Sequence, residues 1–366
     1  MTPTPRVDWA LAGTIGGRLA RPGPRDVTLS ADERAELVAS LRTAGDQAAE
    51  HVVRLTGLEP ADGGGLDGPH GTGLSPVRVV DRATWVARNT RMLAAMTSPP
   101  GTDVNGVLAR PTGGLLPRTT TAAELAAVLA FFAGRVLGQF DPFAAPVRDP
   151  DAPSGSTRSG VLMLVAPSVL QVERRLHADP DDFRLWVALH EQTHALQAAT
   201  APWLAEHLRA QAAAILASTD DEGSDEAGFA GRLRALATAE PWGGALNPRQ
   251  RDTVERLGAV MALLEGHADV TMDAVGRSVV PTVHQIRSAF DRTRAPGAGP
   301  LWHRLVRRLV GLDAKIAQYT DGAAFVRAVH RQGGRSALAA AFSGPDALPT
   351  PIEITDPRAW LRRVAP

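Results

Sequence analysis

The sequence predicts a mainly α protein, α+β at most, and three observations support this fold class. Apolar residues recur at helical spacing through most of the chain, as in 30–58, where Ser30 and Glu33 form a capping-box pattern. Clusters of glycine and proline separate the helical segments, most clearly at 59–73. Only 160–170 has the short apolar run that is typical of a buried strand. One good strand predicts a small sheet.

Four other segments carry helical or turn-forming patterns. We expect a helix at about 80–97 and a buried helical segment across 122–140, which is apolar on nearly every side. The segment 299–334 predicts one or two more helices. The segment 219–247 is acidic, then rich in turn-forming residues, and we expect it to form an exposed excursion.

Composition and charge exclude several classes of partner. Apolar residues make up 44% of the chain and 39 basic residues balance 39 acidic ones, so the protein has no net field that would attract nucleic acid or anionic lipid. The chain has no cysteine, and a transition-metal site must therefore use histidine and carboxylate ligands. Because no apolar run has the length of a signal peptide or a membrane span, we expect a cytoplasmic protein without nucleic-acid or membrane partners.

The strongest functional motif is His-Glu-Gln-Thr-His at 190–194. On a helix, His190 and His194 lie one turn apart on the same face and can direct both imidazoles at one metal ion. Glu191 lies about 100° round the helix, where it can reach a water on the metal rather than the metal itself. Zinc lowers the pKa of such a water to about 7, and a neighbouring carboxylate can take its proton as it attacks a carbonyl. The alternative is a pair of ordinary histidines that fall one turn apart by chance.

The helix that carries the motif is well specified by its ends. Asp179 is a suitable N-cap, Pro180 fits the first helical position, and Pro202 ends the helix. The motif is surrounded by the apolar residues Phe183, Trp186, Val187, Leu189 and Leu196. This setting implies burial, where two imidazoles need partners that a metal would supply.

A catalytic zinc normally has three protein ligands and one open position, so the motif requires a third ligand. The segment 260–276 supplies the best candidate, since Asn247 and Gly276 bound a long predicted helix around it. On that helix Glu265 and Asp269 share one face among apolar neighbours. We expect Glu265 to be the third ligand and Asp269 to support a ligand histidine. The alternative is that both carboxylates pair with core arginines.

Three nearby residues are weaker candidates for a role at the metal site. His207 follows the end of the motif helix, and we expect it to be a solvated helix residue. His267 lies about 200° round the helix from Glu265, which favours a structural role. Asp273 returns to the Glu265 face one turn further on, where it can either fix loops or support the ligands.

Three blocks of the sequence, in order, resemble a zincin-like metallopeptidase family that is common in actinobacteria. The name of that family associates it with deazaflavin-coenzyme biosynthesis, which is an association and not a demonstrated reaction. The blocks are DPDDFRLWVALHEQTHALQ…PWLAEHL, LLEGHADVTMDAVG and LDAKIAQYTDGAAFV…LPTPIEITDPRAW. The resemblance extends from about residue 8 to the C-terminus. It departs from the expected pattern at Ala198, where an aromatic residue would follow Gln197.

The resemblance implies a helical zincin-like metallopeptidase fold with a small sheet near the active-site helix, and a zinc cofactor. It matches Glu265 and Asp269 to an E-x-x-x-D pair of third ligand and supporting acid. We expect an N-terminal helical region, 1–150, that packs on a zincin-like metal-binding catalytic region, 151–366, the two forming one continuous unit. Tyr319, the single tyrosine, falls in the third block and could stabilise an oxyanion; the alternative is a tyrosine that packs between helices with its hydroxyl at the surface.

Two functions are consistent with these residues. The leading hypothesis is a zinc-dependent hydrolase of the metallopeptidase type, in which Glu191 activates a water and the substrate is a peptide or small amide. The alternative is a non-catalytic, zinc-stabilised scaffold that binds a protein partner. Structural zinc usually has four protein ligands, so a fourth ligand such as His267 or His207 would favour the scaffold.

Overall fold

The computed structural model describes ten stretches of the chain. They are 7–21, 27–61, 74–98, 104–109, 116–144, 147–148, 157–158, 160–216, 248–292 and 322–364. The expected excursion at 219–247 lies outside the described residues, as does most of the helical segment expected at 299–334.

Helices dominate the described residues, which confirms the mainly α fold class. In the first part of the chain they are α1 (Trp9–Leu19), α2 (Ala31–Thr56), α3 (Arg82–Thr97), α4 (Val104–Ala109) and α5 (Leu116–Ala133). Next come α6 (Ala166–Leu176), α7 (Pro180–Thr200), α8 (Trp203–Leu216), α9 (Pro248–Ala274) and α10 (Val283–Arg292). The last described stretch contains α11 (Gly322–Ala339), two short 3₁₀ turns, α12 (Pro351–Thr355) and α13 (Pro357–Val364).

A small sheet lies among these helices, as expected. The strand pattern at 160–170 is correct for Val161–Val165 only, because the helix Ala166–Leu176 begins directly after it. Its strands are β1 (Val77–Val80), β2 (Gly138–Asp141) and β5 (Val161–Val165), in the order β1-β5-β2. The central strand β5 is parallel to β1 and antiparallel to β2, and all five of its residues are buried. The short strands β3 (Val147–Arg148) and β4 (Thr157–Arg158) form a separate antiparallel pair.

The helical segment expected at 122–140 is only partly correct. Helix α5 ends at Ala133, and Gly138–Asp141 form strand β2 instead. The reason is that an apolar run without clear periodicity fits a buried helix and a buried strand equally well. Pairing with β5 decides the outcome here, because it satisfies the backbone polar groups of β2 in the interior.

Helix α7 is buried along most of its length. Its start is as expected, since an Asp179 carboxylate oxygen accepts the backbone N–H of Asp182 at 3.1 Å and Pro180 is the first helical residue. The helix packs against α2 and α9 and also contacts β2 and β5. The His-Glu-Gln-Thr-His motif is therefore held in the middle of a helix with neighbours on several sides.

Two apolar clusters form the interior. The larger one joins α2, α7, α9 and α11 to the sheet and includes the fully buried Leu41 and Leu189. The smaller one joins α1, α3 and α5 and includes Trp9 and Trp85. Because α2 contributes to the larger cluster, helices from both sides of residue 150 share one core. The two-region division of the chain stays a prediction.

A close backbone contact lies between α9 and α11. A Cβ atom on Gly266 would lie 2.1 Å from the carbonyl carbon of Gly322, and one on Gly322 would lie 1.8 Å from the carbonyl oxygen of Ala262. Neither position has room for a methyl group without movement of the backbone. Two glycines therefore set the distance between these helices.

Substitution of either contact glycine is expected to destabilise the fold. Gly→Ala inside a helix normally stabilises by up to about 1 kcal/mol, but Gly266→Ala must push α9 and α11 apart, and we expect a net loss of about 3 kcal/mol in the free energy of unfolding. Gly17→Ala is the matched control, because its Cβ would meet nothing closer than 3.9 Å. Denaturant unfolding of both variants measures the difference. Equal stability of the two variants would show that α9 and α11 do not approach this closely.

Candidate metal centre

Three side chains from two helices converge on one point. The Nε2 atoms of His190 and His194, one turn apart on α7, lie 3.2 Å from each other. Glu265 reaches them from α9, with Oε2 at 3.3 Å from His190 Nε2 and Oε1 at 3.2 Å from His194 Nε2. Each residue thus offers a ligand atom, and the three atoms lie within 4.8 Å of one another.

This group fits a zinc ion in three respects. Two imidazole nitrogens and a carboxylate are a donor set that zinc takes readily. A tetrahedral zinc with bonds of about 2.0–2.2 Å holds its ligand atoms about 3.3 Å apart, close to the spacing between the Nε2 and carboxylate atoms here. Finally, Glu265 Oε2 is buried and accepts no hydrogen bond from the described residues. A buried carboxylate oxygen without a donor is costly unless a cation balances it.

The ligand set is open on its histidine side. The side chains of His190 and His194 keep 15% and 17% of their exposure, whereas Glu265 keeps 1%. The carboxylate therefore forms the floor of the site and the imidazoles form its rim. A ligand from solvent would therefore reach the site from the side of the imidazoles.

The short distances between the two imidazoles and the Glu265 carboxylate change the pKa values of all three side chains. Burial opposes protonation of His194, but the adjacent Glu265 carboxylate outweighs it and raises the pKa of His194 to about 9. The pKa of His190 is raised for the same reasons. Although burial favours the neutral acid, the two imidazoles lower the pKa of Glu265 well below its usual range. A cation held by the three residues would replace the proton that the imidazoles otherwise attract.

Glu191 lies beside this group and faces strand β2. Its side chain is buried, and burial raises the pKa of Glu191 although both imidazoles act in the opposite direction. The backbone of Gly138 lies against it, since a Cβ atom there would be 2.5 Å from Cγ and 2.9 Å from Oε1 of Glu191. A glycine at this position of β2 leaves the space that the Glu191 carboxylate occupies.

A charged cluster lies on the other side of His190. Asp269 Oδ1 is 3.9 Å from His190 Nδ1, which is too far for a hydrogen bond, and 3.7 Å from Arg287 Nη2. Arg287 Nε donates to Asp273 Oδ1 at 2.9 Å, and the Trp186 indole N–H donates to the same oxygen at 3.4 Å. The structure thus places Asp269 next to a ligand histidine, as expected, while Asp273 anchors Arg287. The supporting role of Asp269 stays a prediction.

His207 and His267 do not belong to the ligand group. His207, on α8, packs its ring edge-on against Trp203 and is partly buried rather than solvated. His267 is buried, and its Nδ1 contacts the side-chain amide of Gln197. Among the described residues, neither histidine belongs to the potential metal group. Tyr319 lies outside the described residues, and its proposed role stays a prediction.

Two residues at the site escaped the sequence analysis. Gly138 is one glycine within an apolar run and becomes significant only when β2 is placed against α7. Arg287 belongs to α10, whose sequence carries no motif, but Asp269 and Asp273, two partly buried carboxylates one turn apart, favoured a cation from another element. These two carboxylates were therefore the feature of the sequence from which an arginine partner could have been predicted.

The chain is similar to a known protein family and to a solved structure. A family model described as zincin-like metallopeptidase matches residues 7–361. A solved structure from Chloroflexus aurantiacus, described as a candidate hydrolase with a novel fold, is similar over 98% of both chains with 26% sequence identity and a TM-score of 0.61. No curated protein matches the chain. The family match and the structural neighbour support a hydrolase, and the chain belongs to the zincin-like metallopeptidase family.

Proposed function

We propose that this protein is a zinc-dependent hydrolase that cleaves a peptide or small amide bond, with Glu191 as the general base. The observation that carries the proposal is the convergence of His190, His194 and Glu265 on one point with an open side. These residues would hold the ion. A bound zinc ion would supply Lewis acidity, polarising a carbonyl and lowering the pKa of a water to about 7.

We assign the proton transfer in this reaction to Glu191. It follows His190 directly on α7, so its carboxylate lies next to the ligand group without belonging to it. Burial removes competing water, and the neighbouring Gly138 backbone restricts where the side chain can go. A carboxylate held in this way can accept a proton from an attacking water and later return it to the leaving amine.

The scaffold alternative has less support. A structural zinc would need a fourth protein ligand, and the described residues supply a group of three. His267 is engaged with Gln197 and His207 packs on Trp203.

The peptide or amide substrate and the absence of nucleic-acid and membrane partners remain part of the proposal. No helix in the described stretches is both long enough and apolar enough to cross a membrane.

Zinc is expected to stabilise the protein. At a zinc concentration about one hundred times Kd, the free energy of unfolding should rise by about 2.7 kcal/mol, and a chelator should reverse the gain. Glu265→Gln keeps the size of the side chain but removes its charge, so the zinc response should disappear. Thermal unfolding with and without zinc measures both effects.

The control for this experiment is Glu353→Gln. Glu353 is also buried, but it pairs with Arg363 at 2.7 Å and does not belong to the ligand group. This variant should lose some stability and keep the full zinc response. A wild-type protein whose unfolding is unaffected by zinc would contradict the metal site.

Glu191→Gln should separate binding from chemistry. The amide keeps the shape of the side chain but cannot accept the proton, so hydrolysis of a peptide and amide library should fall by about 10²-fold or more. Zinc content should remain one ion per chain. Glu206→Gln is the control, because that carboxylate is 66% exposed on α8 and should leave hydrolysis unchanged. Equal hydrolysis by wild type and Glu191→Gln would exclude Glu191 as the base.

Gly138→Ala tests the position of Glu191 without altering it. The added methyl group would lie 2.5 Å from Glu191 Cγ, so the carboxylate must shift. Displacements of about 1 Å can cost 10²-fold in rate, and we expect hydrolysis to fall by at least about 10-fold while zinc affinity stays constant. The comparison uses hydrolysis rates and zinc titrations on the same samples, with Gly17→Ala as the reference substitution. Full activity in Gly138→Ala would mean that Glu191 works from another position.

A further inference from the structure

Gln197 is a buried polar residue between the two helices that carry the ligands. Only 1% of it is exposed. Its Oε1 lies 2.9 Å from His194 Nδ1, one turn back on α7. Its Nε2 lies 3.0 Å from the Leu264 carbonyl oxygen and 3.2 Å from His267 Nδ1, both on α9. All the polar atoms of this amide thus have a partner.

These contacts fix the positions of the protons. The Leu264 carbonyl can only accept a hydrogen bond, so the Gln197 atom that faces it must be the NH₂ group. The other amide atom is then the oxygen, which can only accept, and His194 Nδ1 must carry a proton. The neutral imidazole of His194 consequently has its free lone pair on Nε2. That is the atom that faces Glu265 and His190.

The second N–H of the amide is also accounted for. It points to His267 Nδ1, which must act as the acceptor. His267 therefore holds the amide in place from the side opposite His194.

We infer that Gln197 is a positioning residue for the metal centre, which holds the His194 ring in the tautomer and orientation required of a ligand. The inference rests on the proposed zinc site. It also explains how ligands from two helices keep their spacing, since Gln197 bonds His194 on α7 and the residue before Glu265 on α9. The two ligands are linked through one amide.

A matched pair of variants tests this role. Gln197→Met removes the amide but preserves the length of the side chain. Gln192→Met is the control, because Gln192 is equally buried on α7 and donates to the Gly45 carbonyl oxygen on α2, away from the ligands. The measurements are zinc Kd by chelator competition, the visible spectrum of the Co²⁺-substituted protein, and the stability of the metal-free protein.

We expect Gln197→Met to raise the zinc Kd by about 10- to 100-fold and to alter the Co²⁺ spectrum. Gln192→Met should lower stability but leave the Kd within about 2-fold of wild type, since it changes no ligand contact. If Gln197→Met does not fold, Gln197→Asn replaces it. That variant keeps a buried amide but withdraws it by one methylene group, and its Kd should also rise.

The outcomes separate this inference from the proposed function. A wild-type protein that binds no zinc overturns both. A wild-type protein that binds zinc while the Gln197 variants match it in Kd overturns the role of Gln197 alone. An equal loss of affinity in Gln192→Met also overturns it, because the effect would then be general destabilisation. None of these results depends on finding a substrate.

Discussion

The site depends on one buried carboxylate between two imidazoles. Glu265 is 1% exposed and lies within 3.3 Å of both ligand nitrogens. An unpaired charge at this depth costs several kcal/mol, so α9 can occupy its place only if positive charge lies opposite. Histidine protons supply that charge in the metal-free protein, and a cation supplies it otherwise. Because Glu265 needs this positive charge, the packing of α7 against α9 depends on the same residues that would bind the metal.

A backbone contact at Gly266 also limits the position of α9. Gly266 follows Glu265, so its Cα lies about 100° round the helix, and it contacts Gly322 of α11 where no side chain would fit. Helix α9 is thus pressed between α11 and α7, with a glycine towards one and the ligand towards the other. A change in the α9–α11 distance would move Glu265 relative to His190 and His194. The glycine contact belongs to the metal site as much as to the core.

The sequence predicted the parts of the site that local geometry determines. Two histidines one turn apart on a capped helix share a face wherever the helix lies, and a buried Glu265 needs a partner wherever α9 lies. Gly138 and the strand that contains it could not be predicted, because the run from 122 to 140 has no period that separates helix from strand. The sequence shows that Gln197 lies three residues after His194, on the same side of the helix, but it does not show the partners of Gln197 on α9.

The exposure of the ligand residues helps to distinguish a structural ion from a catalytic one. A structural ion is most stable when side chains fill its coordination and exclude water. Here the residue that is most deeply buried is the carboxylate, while the two imidazoles keep partial access to solvent. Glu191 is buried beside the ligand group, with its position limited by Gly138. A clamp between α7 and α9 would gain nothing from a second carboxylate beside the ligands, whereas hydrolysis requires a proton acceptor there.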